Sequence, residues 1–255
     1  RERVQRFRRS LRLQARNHLP NRCCVTTVTL VLVCKKPALG SGKQRLAAKL
    51  GPVLALAIAE ALLACALEDV VAWPGPIVIA PANATDLSWA KNLIEASTSQ
   101  HPLITISQSA GNLGQRLNQL DRSLRAQHHQ ALIFIGSDAP GLCAVDYDSV
   151  TSALNSADMV LIPARDGGVV LMANRHPWPD LTLLPWSSDR LGIQLRDACE
   201  SSGLLVRQIG QGYDVDEVRD VLDLAVMLQH DVRPARRALR ALVIANLNKI
   251  QAVDI

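Results

Sequence analysis

The chain has 255 residues, of which 48% are hydrophobic and 3% aromatic, and a formal net charge of +5; this length can bury one large aliphatic α/β core or two modest ones. Residues 1–22 contain eight Arg and one Glu, or +7, so subtraction leaves about −2 for residues 23–255. A basic charge confined to one end argues against a nucleic-acid-binding core, in which Lys and Arg would spread over a face with aromatic partners.

The cysteines and the apolar runs argue against a secreted or membrane-spanning protein. The six cysteines include no CxxC pair and have no His at metal-ligand spacing, so we expect reduced, mostly buried thiols in a cytoplasmic protein. The longest apolar run, Val53 to Leu67, contains Glu60 and is too short to cross a bilayer. No apolar h-region follows the basic start, so no signal peptide is expected.

The first predicted element is a basic amphipathic helix over residues 1–19, which Pro20 and Asn21 end. A single short basic helix with few large apolar residues binds membranes weakly. We therefore interpret residues 1–22 as a solvated basic arm and residues 23–255 as one domain.

A Val/Thr/Leu strand over residues 25–34 leads into a loop with the sequence Lys-Lys-Pro-Ala-Leu-Gly-Ser-Gly-Lys-Gln-Arg-Leu, residues 35–46. Glycines such as Gly40 allow close backbone approach, and Lys43 and Arg45 supply positive charge at a helix start, which is an arrangement that can hold phosphates. The spacing fits neither a Walker A loop nor the dinucleotide fingerprint. From the residues alone, an ordinary strand-to-helix loop with surface lysines stays open.

Strands and helices then alternate regularly, which predicts a doubly wound, mostly parallel sheet. Helices are predicted up to about Leu67 with a break at Gly51-Pro52, and a second glycine-punctuated loop is predicted at Gly111. The further strands are predicted at residues 76–80, 103–107 and 131–135, and the further helices at 86–96 and from 113 to about 127.

The central strand is the run Ala-Leu-Ile-Phe-Ile at residues 131–135, which Gly136 stops. Ser137 and Asp138 follow at its carboxyl end, where open α/β sheets bind ligands. An aspartate there can hold a divalent metal on a phosphorylated substrate. A turn or helix-capping aspartate is the equally weighted alternative.

The second half of the sequence predicts one strand that runs antiparallel to its neighbours. After a helix capped by Asp146, strands at residues 159–162 and 169–173 flank a turn at residues 163–168, and this spacing indicates a hairpin. Asp166 precedes two glycines that leave space for a ligand, although Asp-Gly is also an ordinary turn pair. The remaining elements are a helix after Trp186 to near Gly203, a strand at 204–209, Asp-Val-Asp at 214–216, a helix from Glu217, and a final helix over 233–250 without chemical residues.

Six of these segments, in order, resemble a family of bacterial glycosyltransferase-A-like transferases, often labelled selenodomain-associated transferases and classed as domain of unknown function 2064. The resemblance covers residues 25–230. The matching segments are the 35–46 loop, Gly-Asn-Leu-Gly-Gln-Arg at 111–116, Gly-Ser-Asp-Ala-Pro-Gly-Leu at 136–142, Asp-Gly-Gly-Val-Val at 166–170, Trp-Ser-Ser at 186–188 and Asp-Val-Asp at 214–216.

The resemblance implies the nucleotide-diphospho-sugar transferase fold, which is glycosyltransferase-A and Rossmann-like, with a Mg²⁺ or Mn²⁺ ion as cofactor. It implies a nucleotide or nucleotide-sugar and a small-molecule acceptor as ligands. By position, Asp138 and Asp216 would bind the metal, and Asp138, Asp166 and Lys43 would be catalytic. The implied nucleotide-binding residues are Lys35, Gly40, Lys43, Arg45, Gly111 and Arg116, and the implied substrate-binding residues are Asp166, Gly167, Gly168, Trp186 and Ser187.

The chain departs from the family pattern at several positions. Ser41 replaces a cation, Gln44 a Thr, Asn112 an Asp, and Val169 with Val170 a pair of aromatic residues; the last change removes a stacking surface. Three functions follow: a glycosyltransferase that uses a nucleotide-sugar, a nucleotidyltransferase that uses an NTP and a small phosphorylated substrate, and a catalytically degenerate nucleotide-binding protein.

Overall fold

The computed structural model describes residues 27–94 and 103–253. The predicted basic helix at residues 1–19 lies outside the described residues, so the division into an arm and a single domain stays a prediction, as does a cytoplasmic location. Among the described helices, none combines the length and the apolar character that crossing a bilayer requires.

The described residues form seven strands and nine α-helices. The strands are β1 (Val28–Cys34), β2 (Ile77–Pro81), β3 (Leu103–Thr105), β4 (Ala131–Ile135), β5 (Met159–Pro163), β6 (Val169–Asn174) and β7 (Val206–Gln208). The helices are α1 (Gln44–Leu50), α2 (Pro52–Ala72), α3 (Leu87–Lys91), α4 (Leu113–Ala126), α5 (Ala144–Ala153), α6 (Leu191–Ser201), α7 (Val218–Met227), α8 (Pro234–Ala245) and α9 (Leu247–Gln251).

The strands form a single sheet in the order β3-β2-β1-β4-β6-β5-β7. Strands β1 to β4 pair in parallel, β6 runs antiparallel to both β4 and β5, and β7 is parallel to β5. The prediction of a mostly parallel α/β sheet with one antiparallel excursion is therefore confirmed. Because β6 is the reversed strand, the β5–β6 turn lies at the sheet edge where the parallel strands end.

Alternation along the strands explains why both faces of the sheet are covered. In β4, Ala131, Ile133 and Ile135 pack into one apolar cluster, whereas Leu132 and Phe134 pack into another on the opposite face. Side chains of a strand alternate between faces, so a strand that is apolar throughout must be buried on both. Every residue of β4 is buried, as the unbroken apolar run predicted.

A third apolar cluster lies between helices rather than on the sheet. It joins Leu46 and Leu50 of α1 and the apolar residues of α2 to Val215 and to α7, α8 and α9. This packing places the start of α1 beside the segment that contains Asp216. The C-terminal helices thus hold two predicted site segments together.

Several predicted helix boundaries differ from the structure. Helix α2 continues to Ala72 instead of ending near Leu67, α3 ends at Lys91, and the final helix is divided at Asn246 into α8 and α9. The cap of α5 is also different: Cys143 is the N-cap residue, and the Asp146 carboxylate accepts its backbone N–H at 2.9 Å. Asp146 therefore closes a capping box from the third helical position.

The final helix region contains a buried arginine that the sequence pattern did not reveal, and its predicted lack of chemical residues stays a prediction. Arg236 of α8 has a fully buried side chain, which pairs with Glu68 at 2.9 Å and with Asp69 at 2.7 Å. Its Nε also donates to the carbonyl of Pro140 at 3.2 Å. Arg236 therefore fixes the turn that follows Asp138 against α2 and α8.

The described cysteines are all free thiols. Cys34, Cys65 and Cys199 are buried and Cys143 is half-buried, and burial raises the pKa of each of the first three to about 12. These three are thus inert packing residues at neutral pH, because the thiolate is the reactive form.

Candidate functional site

The loop between β1 and α1 brings a lysine into the interior of the site. Gly40 and Gly42 have φ of 74° and 72°, and Lys43, the residue before α1, has φ of 42°. Left-handed backbone is favourable for glycine but strained for a lysine. The structure accepts this strain at the residue whose side chain reaches furthest into the site.

The Lys43 ammonium is surrounded by three oxygen atoms. It donates to Asp138 Oδ2 at 3.1 Å, to Asp216 Oδ1 at 2.8 Å and to the carbonyl of Val215 at 2.6 Å. Burial alone would lower the pKa of Lys43, but the two carboxylates outweigh burial and raise it above its ordinary value. Lys43 is therefore a permanent cation between the two predicted metal ligands.

Asp138 reaches this position because β4 ends at a glycine. A Cβ on Gly136 would lie 2.6 Å from Asp138 Oδ1, so only glycine leaves room for the side chain to fold back. The Asp138 side chain remains 40% exposed and the Asp216 side chain 47% exposed. Both carboxylates are thus available to a ligand from the open side.

The segment Tyr213 to Asp216 is extended, and its side chains point alternately into the core and toward the cavity. Val215 is fully buried, whereas Asp214 and Asp216 both line the cavity on the opposite side. Burial, and then the carboxylates of Asp166, Asp138 and Asp216, raise the pKa of Asp214 to about 7. Four aspartates therefore converge at one place, and Lys43 contacts two of them.

The β5–β6 turn supplies the fourth aspartate. Asp166 Oδ1 accepts the backbone N–H of Gly168 at 2.9 Å, which fixes the carboxylate over the turn. Gly167 has φ of 88°, and a Cβ there would lie 1.8 Å from the carbonyl oxygen of Asp189. The turn therefore packs directly on the segment before α6.

That segment presents Trp186 and Ser187 to the cavity. The Trp186 indole N–H donates to the carbonyl of Leu181 at 2.9 Å, and Ser187 has a left-handed φ of 69°. The ring is thereby held in one orientation, with a strained serine beside it.

The second glycine loop is built by a capping box. Asn112 accepts the N–H of Gln115 at 3.0 Å, and Gln115 Oε1 accepts the N–H of Asn112 at 2.9 Å. Amide oxygens replace the carboxylate oxygens of the family pattern without loss of the cap. Arg116 Nε donates to the carbonyl of Gly111 at 2.8 Å, so this departure leaves the loop geometry in place.

These segments enclose an open cavity of about 540 Å³ at the carboxyl ends of the strands. Five cationic side chains line it, together with the four aspartates; the cations are Lys35, Lys36, Lys43, Arg45 and Arg116. Val169 and Val170 also line it, in place of the family's aromatic pair. A smaller cavity of about 320 Å³ shares Arg45, Asp166, Asp214 and Asp216 with the first and continues to Arg165, Tyr213 and Arg219.

The structure brings most of the predicted site residues together. The cavity of about 540 Å³ is lined by Lys35, Lys43, Arg45, Arg116, Asp138, Asp166, Gly168, Trp186, Ser187 and Asp216. Gly40, Gly111 and Gly167 are not among its lining residues; they shape the backbone of the three loops. Their predicted roles in binding, and those of the lining residues, stay predictions.

Sequence reasoning gave no role to Asp214 or to the smaller cavity. Asp214 could have been found, because alternation in an extended segment places residues 214 and 216 on the same side. Arg165, whose guanidinium lies 5.2 Å above the Tyr213 ring, gave no signal, since the two residues are distant in sequence.

Comparison with known proteins gives the same family as the sequence motifs. Residues 63–188 match the family model described as "Uncharacterized protein conserved in bacteria (DUF2064)", which confirms the family expected from the motifs. Four of the six motifs lie within that segment; the 35–46 loop and the 214–216 segment lie outside it. A search among curated proteins finds no match.

Two solved structures share the fold. One, from Desulfovibrio desulfuricans G20, is provisionally named a nucleotide-diphospho-sugar transferase; it is 21% identical, with a TM-score of 0.75 over 89% of this chain and 97% of that one. The other is a cytidylyltransferase from Leptospira borgpetersenii, 11% identical, with a TM-score of 0.50 over 89% of this chain and 97% of that one. At these identities the likeness concerns the fold, and the fold predicted from the sequence is confirmed.

Proposed function

We propose that this chain, whose residues 63–188 match the DUF2064 family, is a metal-dependent transferase that acts on a nucleotide-linked substrate. Transfer of a sugar from a nucleotide-sugar to a small acceptor is the first candidate reaction. The observation that supports it best is the convergence of Lys43, Asp138 and Asp216 at the carboxyl edge of the sheet.

The donor set at this edge fits a divalent metal bound together with phosphate. Within the described residues, no three His, Cys, Asp or Glu side chains form a complete metal site. Mg²⁺, however, usually takes one or two carboxylates and completes its shell with water and substrate phosphates. Asp138 and Asp216 meet that requirement and would hold the ion, which would neutralise charge on the leaving diphosphate.

Three further cations that line the cavity suit the phosphates of the donor. Lys35, Lys36 and Arg116 line the cavity, and the described residues offer these three no carboxylate within 4.0 Å. An anionic diphosphate would supply the partner they lack. Lys43 and Arg45 would contact the same group from the glycine loop.

Asp166 would accept the proton of the acceptor hydroxyl. Its carboxylate is oriented by the Gly168 N–H, and it lines both cavities, so it can face donor and acceptor at once. The smaller cavity would hold the acceptor, with Asp214 between the two ligands. Trp186 and Ser187 would contact the sugar from the other side.

Nucleotidyl transfer is the second candidate. The five cations that line the first cavity match the higher charge of an NTP, and that reaction requires charge stabilisation and positioning rather than a base. A degenerate protein that binds nucleotide without turnover is the remaining possibility that the test below addresses.

The test is the thermal stability of the purified chain with NTPs and nucleotide-sugars, each with and without Mg²⁺ or Mn²⁺. A ligand that binds only the folded state raises Tm. At a concentration of 100 times its Kd, it increases the free energy of unfolding by about 2.7 kcal/mol. We expect a metal-dependent rise that Asp138→Asn removes and that Asp148→Asn, an exposed residue of α5, retains.

The stabilising nucleotide is then used for product analysis. Release of a nucleoside diphosphate from a nucleotide-sugar supports sugar transfer, and release of pyrophosphate from an NTP supports nucleotidyl transfer. Binding without either product would establish the degenerate protein. No stabilisation by any nucleotide would overturn the proposal.

A further inference from the structure

The Lys43 ammonium occupies the position between Asp138 and Asp216 that the proposed function gives to a metal. Three oxygen atoms surround it at 2.6, 2.8 and 3.1 Å, and the side chain is 13% exposed. An ammonium has three N–H groups to donate, so the oxygens satisfy it completely. A divalent cation that approached both carboxylates would meet this ammonium.

We propose that Lys43 and a divalent cation compete for the Asp138 and Asp216 carboxylates, so that the metal binds strongly only together with the phosphates of the nucleotide. This inference rests on the proposed function. The phosphates give the displaced ammonium a new anionic partner, and the metal then takes the carboxylates. Metal and nucleotide would therefore each raise the affinity of the other, since binding linkage is reciprocal.

Charge supports this exchange. Lys43 with Asp138 and Asp216 has a net charge of −1, and Asp166 and Asp214 line the same cavity. A metal that arrives alone must leave the ammonium without its carboxylates in a poorly solvated place, which is costly. A metal that arrives with a diphosphate leaves both the ammonium and the carboxylates neutralised.

The loop has the freedom that the exchange needs. A Cβ added to Gly40 or Gly42 would meet no atom within 4 Å, so the loop is not held by packing at these positions. The left-handed backbone of Lys43 is strained, and no side chain caps the start of α1. Movement of the Lys43 side chain toward the phosphates would therefore break the three oxygen contacts, while the backbone of the loop keeps its hydrogen bonds from Gln44 to Gly40 and from Ser41 to Ala38.

The test measures Mn²⁺ binding by the electron paramagnetic resonance signal of free Mn²⁺, without and with CDP, GDP or UDP. Lys43→Met keeps an unbranched side chain, one atom shorter, and removes its charge. We expect Lys43→Met to bind Mn²⁺ alone about tenfold more tightly than the wild type, within the usual range of coupling between sites. Lys49→Met, which removes an exposed charge of α1 that does not line the cavity, should stay within about twofold of the wild type because screening weakens exposed charges.

The nucleotide arm tests the coupling. In the wild type, the effective nucleoside diphosphate should tighten Mn²⁺ binding by about tenfold or more, and in Lys43→Met this gain should be largely lost. Lys43→Gln provides a second neutral variant, and thermal denaturation shows that each variant is folded. Lys43→Met/Asp138→Asn should lose the added Mn²⁺ affinity, which assigns it to the carboxylates.

Four results would contradict the inference. If both Lys43 variants bind Mn²⁺ alone no more tightly than the wild type, the ammonium is not a competitor. If Lys49→Met gives the same gain in Mn²⁺ affinity as Lys43→Met, the gain comes from the lower net positive charge of the protein and not from competition at the carboxylates. If no protein binds Mn²⁺ with any nucleotide, the proposed function fails as well, whereas nucleotide-dependent Mn²⁺ binding that ignores Lys43 overturns this inference alone.

Discussion

The backbone N–H of Val215 donates a 3.0 Å hydrogen bond to the carbonyl of Asp138. The two segments that contain the paired carboxylates are therefore joined main chain to main chain, although they lie far apart in sequence. Side-chain substitution at either aspartate leaves this bond in place. Such variants can thus test chemistry without separating the segments.

Asp166→Asn should lower the rate of transfer to the acceptor by about 100-fold or more, which is the usual contribution of general base catalysis. The amide can still accept the Gly168 N–H, so the turn should keep its geometry. The check is to measure kcat and, in parallel, metal-dependent nucleotide binding. The affinity for the nucleotide should change little.

Asp189→Asn is the matched control for Asp166→Asn. Asp189 is exposed, and its backbone packs on the same turn, but its side chain is assigned no role. Asp189→Asn should retain the wild-type rate. Normal turnover by Asp166→Asn would remove Asp166 from the mechanism.

Arg236→Met should lower the free energy of unfolding by about 3 kcal/mol, the low end for breaking a buried ion pair, because Glu68 loses its arginine partner whereas Asp69 keeps a 3.0 Å contact with Arg233. Denaturant unfolding measures the loss. Arg237→Met, one residue away on the exposed face of α8, should change stability by less than about 0.5 kcal/mol. Equal effects of the two substitutions would show that the buried pairs do not stabilise the fold.

Gly167→Ala should destabilise the protein more than Gly203→Ala. Both glycines have positive φ, 88° and 79°, but a Cβ on Gly203 would meet no atom within 4 Å, whereas one on Gly167 would lie 1.8 Å from the Asp189 carbonyl. Gly203→Ala should cost about 1–2 kcal/mol of backbone strain, and the collision at Gly167 should add about 1–3 kcal/mol.

Chemical denaturation of the two glycine variants measures the difference directly. Gly167→Ala should also weaken nucleotide-sugar binding, since the turn and the Trp186 segment must separate. A Gly167→Ala protein as stable as Gly203→Ala would show that the two segments do not pack together.

The stability of the protein should fall as the pH decreases from about 7 to 5 through His129. Burial lowers the pKa of His129 below its ordinary value, and its Nδ1 lies 2.8 Å from the Thr29 hydroxyl. The unfolded chain therefore binds the proton more readily than the folded one, so stability is full above the unfolded pKa of about 6.5 and is lost below it.

His129→Gln should remove this part of the pH dependence, and His128→Asn should not. His128 is the exposed neighbour with a φ of 69°, a conformation that Asn tolerates. Tm between pH 5 and 8 measures the effect. The same acid slope in His129→Gln and wild type would exclude His129 as its source.

Much of the fold was predictable because its signals are local. The run at residues 131–135 could only be buried on both faces, and the hairpin spacing predicted the reversed strand β6. Asp138 and Asp216 could be paired only through the family resemblance, since nothing local joins them. The contact of Lys43 with both aspartates spans 95 and 173 residues, and no periodic pattern reports such a contact.

Charged residues in the core were the hardest to predict. Arg236 occurs in a basic amphipathic pattern that usually indicates a solvated face, yet it is fully buried because Glu68 and Asp69 of α2 meet it. Glu68 and Asp69 lie in the part of α2 beyond the predicted end at Leu67. A sequence shows which residues are charged, but the partner that allows burial is set by tertiary packing.

Because β6 runs in the reverse direction, its sheet pairing and the turn at the cavity lie in separate parts of the chain. Its hydrogen bonds to β4 and β5 join the two parallel parts of the sheet, while the turn that precedes it lines the cavity. Changes in the turn at 164–168 can therefore alter this surface without a change of register in any strand, within the limit set by the packing of Gly167 on Asp189. Under the proposed function, relatives with this sheet could acquire new acceptors by changes in one hairpin, with the proposed phosphate-binding loop and metal-binding carboxylates unchanged.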